Sequence, residues 1–170
     1  MVGVAAGLAN AGFTPFVCAA SPFLTGRALE QIKADVVYTR TNVKLCGMSP
    51  GVSYGELGPT HHSIEDIAWM RALDSLPIVL PADEAQTKEV VTWAANTTGP
   101  VFMRVGRFKV PSVSQGQNPA FIPNKAMRII DGSDITIIAT GTLVSRAVAA
   151  AAQLKAEGIS ARVINLSTVS

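Results

Sequence analysis

The sequence is poor in charged residues and has no long apolar run. Only 15% of its 170 residues are charged, and the net charge is +2. Its basic residues are scattered, so it has no basic patch of the kind that binds nucleic acid. No apolar run approaches the roughly 20 residues that a membrane helix needs. The glycine-broken amino-terminal segment also lacks the basic start of a signal peptide. We therefore expect a cytoplasmic protein that binds neither nucleic acid nor membrane.

Several chemical motifs are also missing. The two cysteines, Cys18 and Cys46, lie far apart in apolar segments without a CxxC pair, which predicts reduced core thiols. No HxH or HExxH run accompanies the histidines, so we predict no metal-binding residue in this chain. The GxGxxG, GxxxxGK[ST] and GxSxG motifs are absent as well. These absences exclude the common zinc, phosphate-loop and serine-hydrolase signatures.

Apolar residues dominate what is present. They make up 48% of the chain, and the mean hydropathy is +0.32, so we expect much of the surface to be buried, in part against another chain. Helical and strand patterns alternate, which predicts an α/β fold: a parallel sheet with helices on both faces, followed by an incomplete second α/β domain. The predicted helices are 1–11, 24–34, 64–73, 83–96 and 142–157, and the predicted strands are 14–20, 42–46, 77–80, 101–105, 134–139 and 161–166. The predicted domains are 1–110 and 129–170, joined by a linker at 111–128.

The most informative segment is 55–66, which reads GELGPTHHSIED. Two glycines and a proline predict a tight loop, and Ser63 followed by Asp66 has the spacing of a helix N-cap with an acidic partner. The histidines would then stand just before the positive end of a helix, a place that favours an anion. We predict a ligand or substrate contact for His61 and a structural role for His62.

Arginines supply further candidates. Arg104 and Arg107 flank Gly106 at the end of a predicted strand, where open α/β sheets bind their ligands. A guanidinium there can hold a phosphate bidentately, and a solvent-facing arginine is the alternative. Arg27, which follows Gly26, is equally ambiguous.

Five segments resemble the pyrimidine-binding domain of transketolase-like, thiamine diphosphate-dependent enzymes, running into the start of their C-terminal domain. They read MVGVAAGLANAGFTPFV, NVKLCGMSPGVSYGELGPTHHSIEDIAWMRAL, IVLPADEAQT, GPVFMRVGRFKVP and IIATGTLVSRAVAAAAQLKAEGISARVINLSTV. Nearly the whole chain falls within the resemblance. The GPTH segment, with the acidic helix that follows it, and the PAD segment are the most specific parts.

The resemblance implies thiamine diphosphate bound between two chains, with its aminopyrimidine on this domain and its diphosphate and Mg²⁺ on another. Phe23 matches an aromatic residue that packs on the pyrimidine. His61 matches a catalytic, substrate-contacting histidine, and Arg107 matches an arginine that holds the sugar phosphate. The chain has no GDG…N motif, which implies that Mg²⁺ is supplied through a partner domain or chain.

The sequence also departs from the family pattern. Two further aromatic positions are matched by Ala20 and Gly26, a substrate-channel histidine by Ser49, and an acidic substrate contact by Leu57. The family's catalytic glutamate stands three residues before the position matched by Met1. These differences imply an altered sugar preference and no catalysis by the isolated chain.

We therefore expect part of a transketolase-like enzyme that transfers a two-carbon ketol unit between sugars or sugar phosphates. It would act as one subunit of a split enzyme in a dimer or other homo- or hetero-oligomer with a diphosphate-binding subunit. One alternative is a non-catalytic interaction or regulatory module. Another is a different thiamine diphosphate enzyme, such as deoxyxylulose phosphate synthase or the β subunit of a 2-oxo acid dehydrogenase.

Overall fold

The computed structural model describes residues 1–114, 116 and 121–169. It divides into two compact units. The first unit comprises Met1–Val79 and Thr92–Phe108, and the second comprises Leu80–Val91 and Lys109–Val169. No helix among the described residues combines the length and apolarity needed to cross a membrane.

The first unit is built on a parallel four-stranded sheet with the order β1-β2-β4-β3. Its elements are α1 (Val2–Asn10), β1 (Phe16–Ala20), α2 (Ser21–Thr25), α3 (Leu29–Gln31), a π-helical segment (Ile32–Tyr38), β2 (Lys44–Met48), a 3-10 turn (Gly55–Leu57), α4 (Asp66–Arg71), β3 (Ile78–Val79) and β4 (Val101–Val105). Strands β2, β3 and β4 carry fully buried apolar side chains, as expected for a parallel sheet covered by helices. The predicted α/β class is confirmed.

One predicted helix is wrong in detail. The pattern predicts a single helix over 24–34, whereas the structure has the short helix α2, a break, α3 and then the π-helical segment. Pro22 occupies the first turn of α2, where a missing N–H costs nothing, and Gly26 ends that helix. Helix α2 begins at Ser21, earlier than predicted, and therefore follows β1 directly.

Gly47 in β2 marks a close approach inside this unit. A Cβ at this position would lie 2.7 Å from Ser21 Oγ and 2.9 Å from the Phe102 ring. Both distances are shorter than Cβ contacts allow, so only glycine lets α2 and β4 come this near to β2.

The two cysteines meet across the sheet. Cys18 of β1 and Cys46 of β2 are in register on neighbouring parallel strands, and both are free thiols. Burial raises the pKa of the Cys46 thiol to about 12. The prediction of two core thiols is wrong for Cys18, which is exposed on β1, an edge strand of this sheet.

A buried lysine is the first residue of β2. Lys44 is fully buried, and its Nζ donates to Asn42 Oδ1 at 2.7 Å and to the carbonyl oxygens of Thr97 and Gly99 at 2.7 and 2.6 Å. Burial lowers the pKa of Lys44 to about 8. These acceptors explain how an ammonium group is tolerated in the core.

The second unit contains a three-stranded sheet of order β5-β7-β6, in which β6 and β7 are parallel and β5 is antiparallel to β7. Its elements are α5 (Glu84–Asn96, whose last turns fall in the first unit), β5 (Met127–Ile130), β6 (Ile135–Ala139), α6 (Leu143–Ala156) and β7 (Ala161–Asn165). The sequence pattern does not predict strand β5. Ala147 and Ala151 of α6 are buried, whereas Leu143 at its first position is 65% exposed.

Asp83 organises the start of α5. Its Oδ1 accepts from Gln86 N at 3.0 Å, while Gln86 Oε1 accepts from Ala82 N at 2.7 Å. These two bonds cap the start of the helix that the sequence predicts over 83–96. Asp83 Oδ2 also accepts from Val113 N at 2.7 Å and Ser114 N at 2.8 Å, so it fastens residues that lie in the predicted linker.

Candidate functional site

Three of the predicted site residues lie together in the first unit. The His61 imidazole is 5.0 Å from the Phe23 ring and 5.5 Å from the Tyr54 ring, centroid to centroid, with interplanar angles of 72° and 69°. Both are edge-to-face contacts, a favourable arrangement for aromatic pairs. Phe23 and His61, both named by the family resemblance, are thus neighbours in space, and Arg107 reaches the same group of rings through Tyr54.

Cations lie at both ends of this row of rings. The Arg27 guanidinium is 4.8 Å from the centroid of Phe23, and that of Arg107 is 4.9 Å from Tyr54 and 6.0 Å from Phe108. These distances are within the range of cation–π attraction. We call the set the ring cluster; its members are Phe23, Arg27, Tyr54, His61, Arg107 and Phe108. Sequence reasoning missed Tyr54, although an aromatic residue inside a long glycine-rich loop was a usable signal.

The sheet explains why these residues meet. Phe23 is on α2, which follows β1; Tyr54 and His61 are on the loop after β2; and Arg107 comes soon after β4. These strands are parallel neighbours, so their carboxyl ends share one edge. That edge is where open α/β sheets bind ligands.

The loop after β2 is closed on itself. Gly51 and Ser63 exchange two backbone hydrogen bonds of 2.9 and 2.8 Å, and Gly58 has a φ of 71°, which favours glycine. His62 Nε2 lies 3.0 Å from the Gly55 carbonyl oxygen, in agreement with a structural role. The closure holds Tyr54, Thr60 and His61 in a defined loop.

The two ring nitrogens of His61 differ in their hydrogen bonding. Its Nδ1 lies 3.0 Å from Thr60 Oγ1. Across the residues that the structure describes, His61 Nε2 makes no hydrogen bond. The ring is half-buried between two aromatic side chains, which hold its orientation. Nε2 is thus held in place while remaining available for a hydrogen bond to a ligand.

The predicted helix cap beside the histidines is wrong. Helix α4 begins at Asp66 with Glu65 as its N-cap, and no side chain caps it. Ser63 Oγ is buried and has no hydrogen-bond partner among the described residues. Asp66 is buried and accepts from Ser21 Oγ and Arg104 Nε, so a tertiary contact replaces the local cap. His61 is therefore placed by ring contacts rather than by a helix terminus.

The two candidate arginines have different environments. Arg104 donates from Nε to Asp66 Oδ2 at 2.9 Å and from Nη2 to the Ser63 carbonyl at 3.3 Å, and its side chain is only 20% exposed. These bonds give Arg104 a structural role within the first unit. Arg107 is exposed, and among the described residues its guanidinium lies over two rings and makes no hydrogen bond, so of the two arginines it is the one positioned to meet an anion.

Comparison with known proteins gives the family. The family model described as transketolase, pyrimidine binding domain, matches residues 1–112, and the one described as transketolase, C-terminal domain, matches residues 124–170. The chain belongs to the transketolase family. The resemblance inferred from its motifs is confirmed.

Named transketolase relatives cover nearly all of the chain. It is 45% identical over 168 residues to an apulose-4-phosphate transketolase subunit of Phocaeicola vulgatus, a match covering 99% of this chain and 54% of that protein. It is 37% identical over 169 residues to a 6-deoxy-6-sulfo-D-fructose transketolase subunit of a Clostridium species, covering 99% of this chain and 52% of the relative. The chain thus spans about half the length of these curated relatives.

A solved structure agrees with the sequence matches. A split-gene transketolase, described as an inactive β4 tetramer, superposes with a TM-score of 0.87 at 39% identity. The match covers 98% of this chain and 53% of that one. The chain is therefore similar in fold, as well as in sequence, to a subunit of a split transketolase.

The structure shows the surroundings of three positions that depart from the transketolase pattern: Gly26, Ser49 and Leu57. A Cβ at Gly26 would lie 2.8 Å from the Trp69 ring, so the indole occupies the space that a side chain at position 26 would enter. Ser49 has a φ of 55°, a backbone conformation uncommon outside glycine, and is buried. Leu57 is 52% exposed in the loop.

The surroundings of Phe23 suit one end of the transketolase cofactor, its aromatic ring. Phe23 is a half-buried ring beside a histidine and an arginine, surroundings that suit a flat aminopyrimidine. Residues 1–114, 116 and 121–169 contain no group of three His, Cys, Asp or Glu side chains that could hold a metal ion.

Proposed function

We propose that this chain is part of a split transketolase that transfers a two-carbon ketol unit between sugars or sugar phosphates with thiamine diphosphate. The ring cluster carries the proposal. It brings Phe23, His61 and Arg107 to the carboxyl edge of a parallel sheet in a chain of the transketolase family. A flat ring, a proton carrier and a cation are the groups that an aromatic cofactor and an anionic sugar need.

Each residue has a separate task in this proposal. Phe23 supplies an aromatic surface for the aminopyrimidine, and His61 Nε2 contacts a substrate oxygen and transfers its proton. Arg107 binds the substrate phosphate, and the Tyr54 ring under its guanidinium limits the conformations it must lose on binding. When bound, thiamine diphosphate supplies the carbanion stabilisation that these side chains lack.

The proposal includes a partner. The described residues offer no metal cluster, and the Phocaeicola relative is named as one subunit of a transketolase. We infer that a separate diphosphate-binding subunit brings Mg²⁺, that the isolated chain is inactive, and that the assembly is a cytoplasmic oligomer. The apolar side chains exposed on α1, among them Val4 at 69% and Leu8 at 43%, are candidates for the surface between subunits. We retain the domain boundaries 1–110 and 129–170 as part of this proposal.

The proposal is tested by reconstitution. The chain, a diphosphate-binding transketolase subunit, thiamine diphosphate and Mg²⁺ are mixed, and ketol transfer from phosphorylated and unphosphorylated donors is measured. Transfer is expected only in the mixture, and only with a form of the chain extended upstream to include the family's catalytic glutamate; the variants below are made in that form. Arg107→Gln should raise the KM for the phosphorylated donor about 10–100-fold, the equivalent of losing about 1.5–3 kcal/mol of charge-assisted hydrogen bonding. His61→Gln should lower kcat for both donors by about 10²–10⁴-fold.

Arg71→Gln is the matched control, because Arg71 is an exposed arginine on α4 outside the ring cluster. It should leave both kinetic constants unchanged. A stable complex without any ketol transfer would favour the non-catalytic interaction module. Equal KM increases for both donors in Arg107→Gln would refute phosphate binding by that residue.

A further inference from the structure

One buried carboxylate makes hydrogen bonds to three separate partners. Asp66 is fully buried. Its Oδ2 accepts from Ser21 Oγ at 2.7 Å and from Arg104 Nε at 2.9 Å, and its Oδ1 accepts from Ile67 N at 2.9 Å. A carboxylate removed from water is costly unless its oxygens are satisfied, and here both are.

The two side-chain partners of Asp66 lie on segments that also carry residues of the ring cluster. Ser21 is the first residue of α2, two positions before Phe23. Arg104 is in β4, three positions before Arg107. Neither Asp66 nor its two side-chain partners belongs to the ring cluster, so their influence on the cluster is indirect.

Arg104 extends the contact to the loop. Its Nη2 donates to the carbonyl oxygen of Ser63 at 3.3 Å, and Ser63 is the residue that pairs with Gly51 to close the loop. The closed loop carries Tyr54 and His61. Arg104 therefore connects Asp66, by hydrogen bonds, to the backbone of the loop that carries His61.

We propose that Asp66 is a positioning residue of the site, whose carboxylate fixes α2 relative to the loop and thereby sets the contact between Phe23 and His61. That the site holds a cofactor and a sugar substrate rests on the proposed function, whereas the positioning of Phe23 and His61 by Asp66 is a property of this chain alone. Asp66 would therefore act on how cofactor and substrate are held, without touching either.

The contrasting interpretation is an ordinary buried ion pair that contributes only stability. A pair of variants on the same helix separates the two. Ser21→Ala removes the hydroxyl bond to Asp66, whereas Thr25→Val removes an equally buried hydroxyl that donates to the Ser21 carbonyl at 2.7 Å and not to Asp66. Each variant loses one hydrogen bond donated by a hydroxyl of α2. Only Ser21→Ala loses a bond to the Asp66 carboxylate.

The readout is the NMR spectrum of the histidine ring protons in the full chain. His61 lies between two aromatic rings, so its ring-proton resonances are displaced by their ring currents. In Ser21→Ala these resonances should move toward the positions of an exposed histidine, while those of His62 stay in place. In Thr25→Val both histidines should keep their wild-type resonances.

Asp66→Asn tests the carboxylate itself. It should move the His61 resonances in the same direction as Ser21→Ala and by more, since it weakens the contacts to α2 and to Arg104 together. If this variant does not fold, Ser21→Ala alone decides.

A folded Ser21→Ala protein with wild-type His61 resonances overturns the proposal, as does an equal displacement in Thr25→Val. Neither result depends on enzymatic activity. Failure of the reconstitution assay would overturn the proposed function and leave the positioning role of Asp66 standing.

Discussion

Replacing Asp83 by alanine should destabilise the second unit strongly. The carboxylate caps α5 through Gln86 N at 3.0 Å and accepts from Val113 N at 2.7 Å and Ser114 N at 2.8 Å. Ser114 Oγ also donates to it at 2.5 Å. Loss of a helix cap costs about 0.5–2 kcal/mol, and each buried N–H left unpaired costs about 1–3 kcal/mol. Because these terms overlap, we expect a total of about 2–4 kcal/mol.

The measurement is the free energy of unfolding from urea denaturation followed by circular dichroism. Ser114→Ala is the graded control, because it removes one hydroxyl bond and keeps the cap, and should cost about 1 kcal/mol. A loss below about 0.5 kcal/mol in Asp83→Ala, the range of ordinary surface substitutions, would refute the interpretation of Asp83 as the anchor of 112–114.

The same carboxylate should make stability depend on acid. Burial by itself would raise the pKa of Asp83, but the hydrogen bonds from Gln86, Ser114 and Val113 outweigh it, and the pKa lies below the ordinary value of 3.8. The stabilisation is therefore complete above that value and is lost as the pH falls through the folded-state pKa. Asp83→Asn should show a flatter acid limb than wild type, and an unchanged limb would contradict the assignment.

Two further predictions concern buried titratable groups of the first unit. Because the pKa of Lys44 is lowered to about 8, the unfolded chain binds more protons than the native one between about 8 and 10.5, and stability should rise with pH across this window relative to Lys44→Met. A constant difference in unfolding free energy between the two proteins would contradict this. Native protein treated with a maleimide should take up one label rapidly, at the exposed Cys18, since Cys46 is buried and its pKa is raised to about 12. Cys18→Ser should abolish the rapid label, and rapid double labelling detected by mass spectrometry would refute the assignment.

Local patterns were sufficient for much of the fold. The cap formed by Asp83 and Gln86, the buried strand β4 and the amphipathic helix α6 all follow from residues within a few positions of one another. The family motifs also identified Phe23, His61 and Arg107, which the structure then places in one cluster.

The errors at the site arise where a residue distant in sequence decides the outcome. Ser63 and Asp66 have the spacing of a cap, yet Asp66 is drawn to Ser21 and Arg104, which lie 45 and 38 positions away. The contact between Tyr54 and Arg107 has no local signal either, since it exists only because β2 and β4 are adjacent. Pairings of this kind depend on the order of strands in the sheet, which helix and strand periodicity do not encode.

The close packing of Trp69 on Gly26 also provides an optical probe. The chain has only two tryptophans, Trp69 and Trp93, so Trp93→Phe leaves a single indole. That indole lies against the residue next to Arg27, at the edge of the ring cluster. Its emission would therefore report the arrival of a cofactor ring or an anionic sugar in real time, without any label attached to the protein.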